Sequence, residues 1–226
     1  KSSKKRIVKQ LPSLSHHSEQ AQCATMRHSW LHRGGSLALD FSESSMLLEA
    51  IGPKGISLLR GQWPVHVALD GQTQYQMDGW EEICWFSDED LDYIELEAKF
   101  GDKAKVQRQL ALFRKDRFIL AADALLIESE GATREAEGQW TVSSELSLAE
   151  GIQWETSEKN TEGFLVGNKL RCLVVPLFLP EWRSQSFGGS LQLKSDQVMI
   201  SNSSRGAVSI YSPVIIGLCN RLASHP

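Results

Sequence analysis

Histidine is the side chain whose ordinary pKa suits acid–base work near neutral pH, and the chain has six. His16, His17, His28 and His32 crowd the N-terminal region, and His28 and His32 stand four residues apart. On a helix that spacing would set both rings on one face. The glutamate of an H-E-x-x-H zinc motif is missing between them. Solvated histidines of a terminal arm are the simpler expectation. His66 lies within Val65-His66-Val67-Ala68-Leu69, where strand alternation turns it away from Val65 and Val67. A polar-face histidine is expected there, with a catalytic role as the rarer reading. Glu81 and Glu82 are adjacent, so on a strand they face opposite ways and share no proton. Glu95 and Glu97 do share a face, about 7 Å apart by strand rise. That separation suits two-carboxylate hydrolysis, although a solvated acidic face explains it more simply.

Other chemistries lack their residues. No G-x-S-x-G nucleophile elbow is present. Gly188-Gly189 has no lysine or helical segment behind it, so it reads as a turn and not a phosphate loop. Cys23, Cys84, Cys172 and Cys219 are far apart with no C-x-x-C pair, so no metal site and no cofactor are expected. Cys84 and Cys172 sit in apolar runs, where a thiol behaves as a small hydrophobe. The even count leaves two disulfides open. Seven tryptophans suggest another kind of site, because sugar rings stack on exposed aromatic faces beside polar groups. Most should be core. Trp182 differs, since Pro180-Glu181-Trp182-Arg183 places an aromatic ring and a guanidinium together at a strand end.

The elements that must position these residues are short strands. From Gly35 onward, greasy and polar side chains alternate with a period of two, as in Leu37, Leu39 and Phe41 or Ile94, Leu96 and Ala98. Gly52-Pro53-Lys54-Gly55 reads as a turn between two apolar runs, and Asp70-Gly71 as a tight hairpin. About fourteen strands follow at the spacing of sandwich folds. Pro213 to Leu222 stays open between strand and helix. No stretch shows a sustained helical period. The fold expected is all-β, a large antiparallel double-sheet sandwich of the supersandwich kind, occupying residues 35–226 after a basic arm at 1–34.

Charge is uneven. Lys1, Lys4, Lys5, Arg6 and Lys9 give the first fourteen residues +5, so the remaining 212 carry −9 of the total −4. An acidic body argues against a nucleic-acid surface, and no apolar run is long enough for a membrane helix. A start at Lys1 without methionine leads to the expectation that the chain is a piece of a longer protein.

Arg108-Gln109-Leu110-Ala111-Leu112-Phe113-Arg114-Lys115-Asp116-Arg117-Phe118-Ile119-Leu120-Ala121-Ala122-Asp123 reads as a hairpin. Its first strand is anchored by Arg108 and its second buries Phe118, Leu120 and Ala122. This segment resembles the β-domain hairpin of heparinase II/III-like polysaccharide lyases, and Tyr93 to Glu97 would be the neighbouring strand. The resemblance covers roughly residues 35–130. It implies the C-terminal β-sandwich that follows an upstream helical toroid, with Tyr and His at the junction abstracting a proton for β-elimination. It also implies a periplasmic or secreted protein. The family pattern's histidine two residues before the arginine is here Val106, so that role has no occupant. The expectation is therefore a non-catalytic module, with Trp182, Arg183 and Arg108 toward an acidic polysaccharide. The alternatives are a lyase half-site in which His66 or Tyr75 completes a missing domain's residues, or a purely structural domain.

Overall fold

The computed structural model describes residues 11–30, 34–128, 137–167, 170–185 and 188–218. Along the chain come β1 (His16–Ser18), β2 (Cys23–Arg27), β3 (Ser36–Asp40), β4 (Leu47–Ile51), β5 (Ser57–Gln62), β6 (Val65–Leu69) and β7 (Gln72–Gln74). The long strands β8 (Glu81–Ser87), β9 (Leu91–Phe100), β10 (Ala104–Phe113), β11 (Phe118–Ile127) and β12 (Gln139–Ser147) follow. The last are β13 (Gln153–Thr156), β14 (Gly163–Gly167), β15 (Leu170–Pro176), β16 (Gly189–Lys194), β17 (Gln197–Arg205) and β18 (Ser209–Gly217). A 3-10 turn at Pro53–Gly55 is the one helical element among the described residues.

These strands form three antiparallel sheets. An eight-stranded sheet runs β13-β14-β15-β18-β11-β10-β9-β8. Two five-stranded sheets, β1-β2-β3-β4-β5 and β16-β17-β12-β6-β7, share the facing layer. They meet where Leu59 bridges Leu148 and the Ala149 N–H donates to the Leu58 carbonyl at 3.1 Å. Their inward side chains, among them Leu37, Leu39, Val142 and Ile200, close on Ile94, Leu96, Val106, Leu110 and Val214 from the large sheet. One core results, and the all-β sandwich expected from alternation is the observed architecture.

The turns work as their residues dictate. Asp70 and Gly71 both hold positive φ, 48° and 80°, the pair a tight hairpin needs to join β6 and β7. Pro213 stands inside β18 with partners on both sides, where a proline ordinarily breaks a ladder. Its carbonyl accepts from Leu177 N–H at 2.9 Å, so its backbone polar side faces β15 where that ladder ends at Pro176–Val214. No bond to β11 is lost, and the segment left open by the sequence is a strand through Gly217.

Three local expectations are corrected. Residues 16–27, expected as part of the basic arm, pair as β1 and β2 on the edge of β3. Their alternation was hidden by length, since β1 holds only three residues. In the β10–β11 hairpin the core side is Ile119, Ala121, Asp123 and Leu125, because Arg108 pairs with Asp123 and both point inward. Phe118 and Leu120 face outward and are half-buried. Cys84 is exposed, against its apolar neighbourhood in sequence, whereas Cys172 is buried as read.

His28, just after β2, has a buried Nδ1. Burial lowers its pKa below the usual 6.5, and the positive charge of Arg117 lowers it further. The unfolded chain therefore takes up a proton that the folded one resists, and stability falls as pH drops below 6.5. Urea midpoints measured from about pH 7.5 down to about pH 5 should decline, with a shallower slope for His28→Gln. An unchanged slope in that variant would remove His28 from the account.

Candidate functional site

Arg183 and Trp182 occupy a loop that the chain stitches to another. After β15 the backbone turns through Leu177 to Gln185, and the connection from β13 to β14 lies beside it. Arg183 N–H donates to the Lys159 carbonyl at 3.1 Å, and Thr161 N–H to the Glu181 carbonyl at 3.0 Å. Thr161 Oγ1–H donates to the Pro180 carbonyl at 2.8 Å, and Arg183 Nε–H to the Ser157 carbonyl at 2.8 Å. Within the second loop Ser157 bonds Asn160, whose amide donates to Glu162 at 3.1 Å. The loops are thus held by hydrogen bonds, which is how short polar segments keep one geometry without a core.

Between these loops and β16 lies an open cavity of about 300 Å³, lined by Thr161, Pro180, Arg183, Gln185, Ser190 and Gln192 among others. Gly189 also lines it. A Cβ there would come within 2.7 Å of the Phe178 ring and 2.9 Å of the Ser201 carbonyl, so only glycine lets β16 approach. Trp182, next to Arg183 in sequence, is 48% exposed and is not one of the side chains that line the cavity. The half-exposed indole on this loop can stack on a sugar ring, and the guanidinium and amide side chains that line the hollow can pair with an anionic substituent.

Arg108 does not belong to this site. Its side chain is 1% exposed, and Nε and Nη2 grip the two carboxylate oxygens of Asp123 at 2.7 and 3.0 Å. Nη1 donates to the Trp63 carbonyl at 2.6 Å. The guanidinium lies 3.9 Å from the Trp63 ring centroid and 4.9 Å from that of Trp80. Arg108 anchors the core, as its place at the head of the hairpin suggested, and offers no surface to a ligand. Val106 is wholly buried beside it.

His66 lies on β6 and Tyr75 follows the end of β7, whose last pair with β6 is Gln74 with Val67. The chain leaves β6 there, since the Tyr75 carbonyl accepts from Gly101 N–H at 3.0 Å and Gln76 bridges Phe100. His66 Nε2 is 3.9 Å from Glu145 Oε1, and Tyr75 is 75% exposed. Glu95 and Glu97 face outward together, each already taken up. Glu95 accepts from the Tyr93 hydroxyl at 2.9 Å and from Gln109 at 3.2 Å, while Glu97 accepts from Gln107 at 2.9 Å and Lys105 at 3.1 Å. Held this way they form a structural ladder and not a separated acid–base pair. Among the described residues no three His, Cys, Asp or Glu side chains gather as a metal site.

One arrangement had no signal in the sequence. His17 on β1 reaches Glu82 on β8, Nε2 to Oε2 at 2.5 Å, and its ring stacks on Trp85 at 4.7 Å. The partners are 65 residues apart, so only the fold joins them.

Comparison with known proteins returns structure but no sequence family. No family model matches the chain, and no curated protein matches it. A heparinase III gene product shares the fold at a TM-score of 0.63 and 11% identity, over 96% of this chain and 38% of its own. The heparan sulfate lyase HepC of Pedobacter heparinus does so at 0.50 and 12%, over 92% of this chain and 36% of its own. The chain spans somewhat over a third of those enzymes' length, and it is similar in fold to a β-sandwich portion of heparinase III and related lyases.

Proposed function

We propose that the chain is a non-catalytic β-sandwich module of a larger heparinase II/III-like protein, its C-terminal domain. In this reading it helps a partner domain upstream, built of helices, to grip an acidic polysaccharide. The observation that carries this is the likeness in fold over 96% of the chain to a heparinase III gene product. The Trp182–Arg183 hollow supports it with the side chains such a ligand needs. Stacking on Trp182 supplies apolar contact, and Arg183 supplies charge to a carboxylate or sulfate.

Calorimetric titration with a heparin-derived hexasaccharide tests the proposal. Binding should weaken about tenfold in Trp182→Ala, a loss of about 1.4 kcal/mol. Arg183→Ala should weaken it and flatten its dependence on salt, because the screened contribution is gone. Absence of binding, or variants that bind as the parent does, overturns the proposal. Incubation of the chain alone with heparin, alginate or chondroitin should yield no unsaturated uronate absorbance. Its appearance would favour the half-site reading, with His66 and Tyr75 the residues to replace.

A further inference from the structure

Alternation turns every second residue of a strand to the sheet's outer face, yet Ala122 and Ala124 are only 1% and 9% exposed there. Asp123 and Leu125 point to the core, so these alanines face outward and something lies over them. The register shows what it is. Ala124 is paired with Tyr211 of β18 on one side, and Ala122 with Gln109 of β10 on the other. The Tyr211 hydroxyl donates to Gln109 Oε1 at 3.0 Å, across the whole width of β11. Two strand spacings, about 9.6 Å, separate β18 from β10. A tyrosine meets an amide over that distance only by lying low across the strand between them. The methyl side chains of Ala122 and Ala124 leave the room for it.

The ring is therefore pinned at its far end and remains 46% exposed on its outer side. Around it the polar groups are ordered as well. Gln109 donates onward to Glu95, which also holds Tyr93, and Glu97 beside it holds Gln107 and Lys105. Burial raises the pKa of Tyr211, and the negative charge of Glu95 adds to it, so the phenol keeps the proton that pins it.

From this geometry we infer that Tyr211 is a preset stacking platform for one ring of an uncharged pyranose chain, with Gln109, Gln107, Glu95 and Glu97 meeting the sugar hydroxyls. A pyranose has one apolar face and a rim of hydroxyls, matching a flat ring bordered by amides and carboxylates. Two carboxylates, with Lys105 already paired to one of them, disfavour a carboxylated or sulfated sugar. Pinning the ring beforehand removes ordering cost that binding would otherwise carry. The platform shares no residue with the Trp182–Arg183 hollow, and it selects the opposite class of glycan.

Calorimetric titration of the chain with cellohexaose, mannohexaose and xylohexaose tests it. At least one should bind, and Tyr211→Ala should weaken that binding about tenfold. Tyr211→Phe, which keeps the ring and loses the pin, should cost about threefold. Trp182→Ala should leave neutral-sugar binding unchanged, and Tyr211→Ala should leave binding of the heparin-derived hexasaccharide unchanged. Circular dichroism of each variant verifies the fold. If none of the three neutral sugars binds, or if Tyr211→Ala and Tyr211→Phe bind as the parent does, the platform is refuted.

Discussion

Replacing Arg108 with alanine is expected to destabilise the fold by about 3–5 kcal/mol, the cost of leaving a buried carboxylate without its partner. Asp123 is 3% exposed, and both its oxygens are bound to the lost guanidinium. The Trp63 carbonyl loses its donor in the same step, and two indole rings lose the cation between them. A domain's whole stability is about 5–15 kcal/mol, so the variant should sit near the edge of folding. A urea titration reads the effect as a lower midpoint with the slope retained. The double variant Arg108→Met with Asp123→Leu should recover much of the loss, because it removes both charges and keeps volume. A midpoint within experimental scatter of the parent for Arg108→Ala would show that the core does not depend on this pair.

The second large effect is expected from Asp92→Ala, at about 3 kcal/mol. Asp92 is 0% exposed and accepts from Arg114 Nη2 at 2.6 Å and from the Ser87 hydroxyl at 2.6 Å. Ser15, ahead of β1, bonds Ser87 at 2.8 Å, so this pair also ties the N-terminal strand to β8. The contrast with Arg108 lies in satisfaction. Asp92 Oδ2 and Arg114 Nε have no partner among the described residues, so the native pair is itself strained in polar terms and less is lost. Urea unfolding should rank the two variants, Arg108→Ala the weaker fold. Because His17 stacks on Trp85 in the same region, Asp92→Ala should also shift tryptophan fluorescence before global unfolding. Equal midpoints for Asp92→Ala and the parent would remove the pair from the stability account.

Much of this protein was legible in its residues because strand formation is local. Alternation needs only neighbours in sequence, and Ile94-Glu95-Leu96-Glu97 carries its inside and outside wherever the strand is placed. The same holds for Asp70-Gly71, whose backbone freedom makes the turn before any partner arrives. Strands with little alternation to display escaped: β1, β7 and β13 hold three, three and four residues and exist because a neighbour pairs with them. A proline inside a strand ordinarily breaks the ladder, and only the end of the β15 ladder makes Pro213 harmless.

The candidate sites divide the same way. Trp182 beside Arg183 could be picked out because the two are adjacent and flanked by turn residues. The hollow that Arg183 lines exists only because the 157–162 loop and β16 come to meet it. Arg108 reads identically in sequence whether it faces a ligand or a carboxylate, and the register with Asp123 decides for the core. Tyr211 and Gln109 are 102 residues apart, so nothing local could have joined them. Residue type and spacing set each strand's two faces, since those depend on backbone geometry alone. Which faces meet, which charges are buried together and which ring is pinned over which alanine are pairings across the chain, and those were decided by the sheets as they closed.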